Sequence, residues 1–155
     1  MNLLNGLFDK IVKEVIAQGG HVDKFMGDAV MAVYRGDYHL DRAIDTALAI
    51  RAELAKMDPI ATGDKEFKAE VSVGINSGEM VSGNIGSASL KRLDYTVIGD
   101  SVNVAQRLQS VAKASQILIT EEVHNQIKES FKSEKVGEFT LKNKEKPVMT
   151  YEVIE

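Results

Sequence analysis

Apolar residues recur at helical spacing from the start of the chain. Leu3, Leu4, Leu7, Phe8, Ile11, Val12, Val15 and Ile16 fall on one side of a 3.6-residue repeat, which predicts an amphipathic helix over residues 2–18. Gly19-Gly20 follows and suits a helix C-cap. The pattern then becomes short and extended: residues 21–26 and 29–34 read as two strands of a hairpin turning at Gly27-Asp28. On the first strand Val22, Lys24 and Met26 are expected to share a face. A second helix is predicted over residues 40–57, with Ala43, Ile44, Ala47, Leu48, Ile50 and Leu54 as its apolar side and Asp58-Pro59 closing it. Residues 60–65 are polar and contain a glycine, so they read as a loop. Residues 68–77 alternate: Ala69, Val71, Val73 and Ile75 face one way, and Glu70, Ser72, Gly74 and Asn76 the other.

Gly78, Gly83 and Gly86 punctuate the next stretch, with a short strand at 80–82 and a polar loop at 87–92. No Gly-Lys-Ser/Thr follows these glycines, so they do not make a Walker loop. Residues 94–107 then run Asp-Tyr-Thr-Val-Ile-Gly-Asp-Ser-Val-Asn-Val-Ala-Gln-Arg. Tyr95 to Ile98 are strand formers, Gly99 permits a sharp turn, and Asp100 suits the N-cap of a helix ending near Ala114. Asn103 and Arg107 stand i, i+4 on that helix, beside an apolar stripe of Val104, Leu108 and Val111. A strand offering the Thr96 hydroxyl thus leads into a helix offering an amide and a guanidinium, groups able to meet on one ligand. By residue type alone, the same pair is also what a solvated helix face looks like. Lys24 is equally open, as an edge-strand charge reaching water or as a ligand-reaching group. Asp28 is good turn chemistry and also a carboxylate held at a hairpin tip. The remaining elements are a strand at 116–119, a helix at 121–130 capped by Thr120, and strands at 136–141 and 150–154 around the charged loop 142–147.

At 155 residues the chain suits a single domain, 1–155, with a real core, and 44% hydrophobic and 27% charged residues are ordinary for a globular protein. A formal net charge of -4 gives no basic footprint for nucleic acid, yet a local Lys and Arg cluster can still hold an anion. There is no cysteine, which excludes disulfides and thiolate metal sites and fits a reducing, cytoplasmic setting. No apolar run is long enough for a membrane span, so direct membrane insertion by this segment is not expected. His21, His39 and His124 form no ligand pair.

Three ordered motifs carry a resemblance. Val22 to Ala32 (Val-Asp-Lys-Phe-Met-Gly-Asp-Ala-Val-Met-Ala) looks like a β-hairpin motif of the class III nucleotidyl cyclases. Val-Gly-Ile-Asn-Ser-Gly from Val73, followed by Gly-Asn-Ile-Gly-Ser from Gly83, looks like that family's glycine-rich hairpin. Asp94 to Arg107 is similar to its strongest signature. Over its whole length the chain resembles the catalytic domain of these enzymes, in the bacterial adenylate cyclase branch. The resemblance implies an α/β, ferredoxin-like sandwich that works as a dimer, with two Mg²⁺ or Mn²⁺ ions held by two aspartates of one protomer. ATP would be converted to 3′,5′-cyclic AMP and pyrophosphate at the dimer interface. Asp28 matches the second metal aspartate. Lys24 and Thr96 match the base-selecting pair of the facing protomer, and their identities favour adenine over guanine. Asn103 matches the residue that orients the ribose, Arg107 the one that stabilises charge at the transferring phosphorus, and Lys142 the one that binds the terminal phosphates.

The resemblance breaks at the leading edge. The family's first strand and first helix have no counterpart in this sequence, and the first metal aspartate would go with them. Asp9 lies within the opening helix, not at a strand end. A lone carboxylate is poorly suited to a two-metal arrangement, so little or no turnover is expected of the chain by itself. The absent strand would be central, leaving unpaired strand edges unless another segment or chain fills the gap. Two readings follow: an adenylate cyclase domain partnered as a homodimer or heterodimer with another cyclase domain, or a pseudo-cyclase that regulates a partner by binding nucleotide. A diguanylate cyclase would carry Gly-Gly-Asp/Glu-Glu-Phe where this hairpin has Met-Gly-Asp-Ala-Val. An RNA-recognition module would need stacking aromatics on adjacent central strands, and this sequence has no Trp, few aromatics and a negative net charge.

Overall fold

The computed structural model describes residues 2–57, 60–78, 81–85, 94–140 and 147–155, with backbone alone at 2–5, 60–62, 65, 67, 81–85 and 94–98. In chain order the elements are α1 (Asn2–Ala17), β1 (His21–Met26), β2 (Ala29–Val33), α2 (His39–Lys56), β3 (Ile60–Thr62), β4 (Lys65–Phe67), β5 (Val73–Ile75), β6 (Val81–Ile85), β7 (Asp94–Ile98), α3 (Asp100–Val111), β8 (Ile117–Thr120), α4 (Glu121–Ile127), β9 (Ser133–Phe139) and β10 (Val148–Val153). The α+β expectation holds.

The centre is a four-stranded sheet in the order β5-β8-β10-β9, in which β5 runs parallel to β8 and the other pairs are antiparallel. Every residue of β8 is buried, as expected for a strand covered on both faces. Ile117 and Ile119 join Ile75 and Val153 on one face, where Leu40, Ile44 and Ala47 of α2 and Val123 and Ile127 of α4 cover them. Leu118 points to the other face and packs with Val104 and Leu108 of α3, flanked by Phe139 and Val148. The result is a sheet between two helical layers.

α3 lies very close to β5. A Cβ placed on Gly74 would stand 2.4 Å from the Ala105 carbonyl oxygen and 2.5 Å from the Gln109 nitrogen. Glycine is needed here because the helix backbone itself occupies the space a side chain would fill. Among the described residues β5 pairs with β8 only, and the β1–β2 hairpin forms its own sheet, so strand edges are left open as the sequence suggested.

α1 ends in a Schellman motif. Gly19 takes φ 76°, Gly19 N–H donates to Ile16 O at 3.0 Å and Gly20 N–H to Val15 O at 2.9 Å. Arg42 then ties that helix end to the β2–α2 connection. Its guanidinium donates to Gln18 O (3.3 Å), Gly19 O (3.1 Å), Asp37 O (3.2 Å) and Arg35 O, and lies 5.9 Å from the centroid of the Tyr34 ring. The Tyr34 hydroxyl donates to Thr46 Oγ1 at 2.7 Å, and Thr46 donates onward to Arg42 O at 2.8 Å.

Several elements differ from the sequence reading. Residues 60–67 form a small antiparallel hairpin turning at Gly63 (φ 65°), where a loop is predicted from polar composition. Only Val73–Ile75 of the alternating stretch 68–77 is a strand, because residues 68–72 have no partner strand among the described residues. The hairpin strand after the first glycines is Val81–Ile85, longer than the three residues read at 80–82. The residue at the N-cap of α3 is Gly99, with φ 149°, and Asp100 sits in the first turn, where its charge complements the helix dipole. Val111 is 41% exposed, so the apolar stripe of α3 stops at Leu108. Thr120 does cap α4, accepting from Val123 N–H at 3.3 Å.

Gly74→Ala should lower unfolding free energy by about 1–3 kcal/mol, the usual range for overpacking; denaturant melts check this, and an unchanged midpoint would mean that α3 can ride away from β5 freely. Burial pushes the Tyr34 phenol above its ordinary value, against the opposing Thr46 hydrogen bond and the Arg42 charge. On raising the pH the unfolded chain therefore loses this proton first. Stability is full below about pH 10 and falls as the pH climbs toward the folded value. Tyr34→Phe should flatten that part of the decline between pH 9 and pH 11, at a cost of about 1 kcal/mol at neutral pH; an identical alkaline slope in both proteins would contradict it.

Candidate functional site

The hairpin that carries Lys24 and Asp28 is held from behind by α1, whose Phe8 ring lies 5.3 Å from Phe25 at an interplanar angle of 58°. Within β1 the register slips by one: Val22 pairs with Ala32 and Lys24 with Met31, so Asp23 is an extra residue in a β-bulge. This corrects the expectation that Val22 and Lys24 share a face by simple alternation, since a bulge interrupts the two-residue period. The bulge sends the Asp23 side chain inward, where it is 1% exposed, and leaves the Lys24 side chain 43% exposed, with Nζ 3.9 Å from Asp23 Oδ2. Bulges are common where a strand must re-aim a functional side chain. Asp28 is exposed at the turn beside Gly27, which takes φ 64°.

The strand carrying Thr96 is reached from two sides. β7 pairs antiparallel with β6, with Thr96 opposite Gly83, and Cα atoms of β1 approach those of β7 within 8 Å. The Thr96 side chain lies outside what the structure describes. β7 runs straight into α3 through Gly99. Asn103 N–H donates to Gly99 O at 3.2 Å, so Asn103 is in the first turn, and Arg107 follows one turn later. Both are exposed, while Val104 and Leu108 on the adjoining face of the helix are buried. The structure therefore brings together the β1 strand of Lys24, the β7 strand of Thr96 and the helix of Asn103 and Arg107. Lys142 lies outside the described residues.

No group of three or more His, Asp or Glu side chains among the described residues is gathered closely enough to hold a metal ion. Asp28 stands at a turn, and Asp9 is on the exposed side of α1. One chain's described donors thus do not fit the pair of metal ions that the sequence resemblance implies. No helix among the described residues is long and apolar enough to cross a membrane.

Sequence reasoning missed a polar junction behind the site. Asn76 Nδ2 donates to Ser101 O at 3.2 Å, and Thr120 Oγ1 donates to Asn76 Oδ1 at 3.0 Å. His39 Nε2 lies 2.7 Å from Ser77 Oγ, and a Cβ on Gly78 would stand 2.2 Å from Ser101 Oγ. The available signal was Asn76 itself, an amide one step beyond a strand that otherwise enters a packed core.

Comparison with known proteins places this arrangement. The sequence profile of the adenylate and guanylate cyclase catalytic domain matches residues 1–155. An adenylate cyclase of Anabaena cylindrica is 35% identical over 97% of the chain, which spans 31% of that relative's length. A relative from Mycobacterium tuberculosis shares 39% identity over 114 residues, 74% of this chain and 20% of that protein. The chain thus spans about a third or less of the curated relatives it matches. The crystal structure of the adenylyl cyclase CyaB from P. aeruginosa superposes with a TM-score of 0.83 at 30% identity, over 99% of this chain and 81% of that one. The guanylate cyclase domain of RhGC from Catenaria anguillulae, solved in complex with GTP, gives a TM-score of 0.82 at 27% identity, over 97% and 81% of the two chains. With the family profile matched from end to end and this fold shared with solved cyclase domains, the chain belongs to the adenylate and guanylate cyclase catalytic-domain family, with the fold of the class III cyclases.

Proposed function

We propose that this domain supplies the nucleotide-recognising half of an ATP-cyclising site that is completed by a second cyclase domain. The reaction it serves is attack of the ribose 3′-hydroxyl on the α-phosphorus of ATP, closing the 3′,5′-cyclic ester and expelling pyrophosphate. The observation that carries this reading is the approach of β1 to β7 and the run of β7 through Gly99 into α3, the elements on which Lys24, Thr96, Asn103 and Arg107 lie. Their chemistry is complementary to adenosine triphosphate. Lys24 can donate to adenine N1, and the Thr96 hydroxyl can accept from the N6 amine. Asn103 offers an amide to the ribose, and Arg107 a fixed positive fork for charge that grows on the transferring phosphoryl group. Lys142 serves the terminal phosphates. Asp28 is the metal-directed carboxylate that this chain contributes from its hairpin, and a cytoplasmic location belongs to the same reading.

The donor set also favours a second reading. Base- and phosphate-directed residues are present while a gathered metal-ligand cluster is absent among the described residues. That asymmetry suits a pseudo-cyclase partner which lends its base-binding half to a complete domain. The two readings share the nucleotide assignments and differ in whether any pairing of this chain with itself turns over.

Incubated as the isolated chain with Mn²⁺ and ATP, the protein should form cyclic AMP at close to background rate; turnover near that of a complete family member would overturn the half-site assignment. Mixed with a complete cyclase domain whose own base-binding lysine has been replaced, it should restore cyclic AMP formation, and failure to do so would remove the partner reading. Replacing Lys24 by Glu and Thr96 by Cys together should weaken a non-hydrolysable ATP analogue relative to its GTP counterpart by roughly tenfold or more. Calorimetry reads this without turnover, and an unchanged preference would reject the base assignment.

A further inference from the structure

We propose that Asn76 is a positioning residue for the nucleotide site, setting where α3 begins and therefore where Asn103 and Arg107 stand. The inference rests on the reading that those two side chains meet nucleotide. Asn76 follows β5 on the sheet face that α3 covers, two residues beyond Gly74. Its side-chain amide is used at both ends. Nδ2 donates to the carbonyl of Ser101 in the first turn of α3, and Oδ1 accepts from Thr120 at the end of β8. Thr120 is 2% exposed and is itself fixed, because its hydroxyl also accepts from Val123 N–H at the start of α4. The amide is thus oriented by one buried hydroxyl and passes that orientation to one helix terminus.

Three features make this a register device and not a general brace. Gly74 lets the middle of α3 rest backbone-to-backbone on β5, a contact that by itself permits sliding and tilting. A side chain at position 78 would collide with Ser101 Oγ, so the first turn of α3 lies close against this loop. His39 pins the neighbouring Ser77 from the first residue of α2, which keeps the segment from Asn76 to Gly78 in place. Against that fixed segment, the Asn76 to Ser101 bond is a polar contact between the sheet and the first turn of α3 that bears on the axial position of the helix. Asn103 lies two residues past Ser101 and Arg107 six past it, so a small displacement at Ser101 reaches both. Misplacing positioned groups by about 1 Å can cost on the order of 100-fold in function.

The test uses the intact chain with α,β-methylene-ATP and Mn²⁺, read by calorimetry at a temperature where unfolding is negligible by circular dichroism. Asn76→Asp keeps the acceptor for Thr120 and replaces the donor to Ser101 with a carboxylate oxygen; Asn76→Ala takes its place if the aspartate variant does not fold. Affinity should fall roughly tenfold. Arg107→Ala should weaken binding in the parent protein and cost much less in the Asn76 variant, because α3 is already displaced. Thr120→Ser, which retains the hydroxyl, should bind as the parent does. If the Asn76 variant melts lower but binds as tightly as the parent, or if its effect and that of Arg107→Ala simply add, the positioning role is wrong and Asn76 is a stability contact only. If neither Asn103→Ala nor Arg107→Ala weakens binding in the parent, the nucleotide reading of α3 falls instead, and with it this role for Asn76.

Discussion

The backbone of α3 rests on the backbone of β5 because Gly74 has no side chain, and the placement of the candidate site descends from that contact. With any larger residue at position 74, the Ala105 carbonyl and the Gln109 amide nitrogen would have to retreat. The contact also explains the split core. Leu118 reaches Val104 and Leu108 across a thin layer on the α3 face, while the bulkier packing of Ile117 and Ile119 against α2 and α4 occupies the other. A helix seated so closely holds Asn103 and Arg107 at a distance from the sheet set by that contact and not by a flexible loop.

The other side of the site is built differently. Lys24 rides on a two-stranded hairpin that pairs only with itself among the described residues, steadied by the Phe8–Phe25 contact and by the approach of β1 to β7. A two-stranded ribbon is marginal alone and takes its stability from what packs on it. The bulge at Asp23 turns that ribbon to advantage, since it buries one charged side chain and exposes its neighbour in a single step. Among the described residues β5 pairs with β8 alone and the hairpin with itself, and no three carboxylates or histidines gather, which suits the half-site proposed for this chain.

Much of this was legible in the sequence where one residue type has one physical reason. Gly19-Gly20 signalled a left-handed helix end, Gly27-Asp28 a tight hairpin and Thr120 a helix cap, and each stands there. The strand-to-helix turn at Gly99 was legible too, though the sequence suggested Asp100 as the cap, because a carboxylate competes well for that role until the chain requires φ 149°. Features set by tertiary partners were not legible. The bulge depends on how β1 meets β2, and alternation alone puts Val22 and Lys24 on one face. The hairpin at 60–67 hides behind polar composition. Asn76 reads as one more polar residue on an alternating strand, and nothing local reveals that Thr120 and Ser101, distant in sequence, will meet it. The candidate residues themselves were named through family motifs; their spatial convergence came from the fold.

The central claim is that Lys24, Thr96, Asn103 and Arg107 face one adenine nucleotide. Side-chain NMR on the labelled protein tests it most directly, following the Thr96 methyl, the Asn103 amide and the Arg107 guanidinium as ATP is added. The account predicts that all three shift together on one saturation curve, and that a Lys24→Ala variant moves that curve to higher ATP concentration. Signals that stay still, or that saturate at unrelated concentrations, would contradict it.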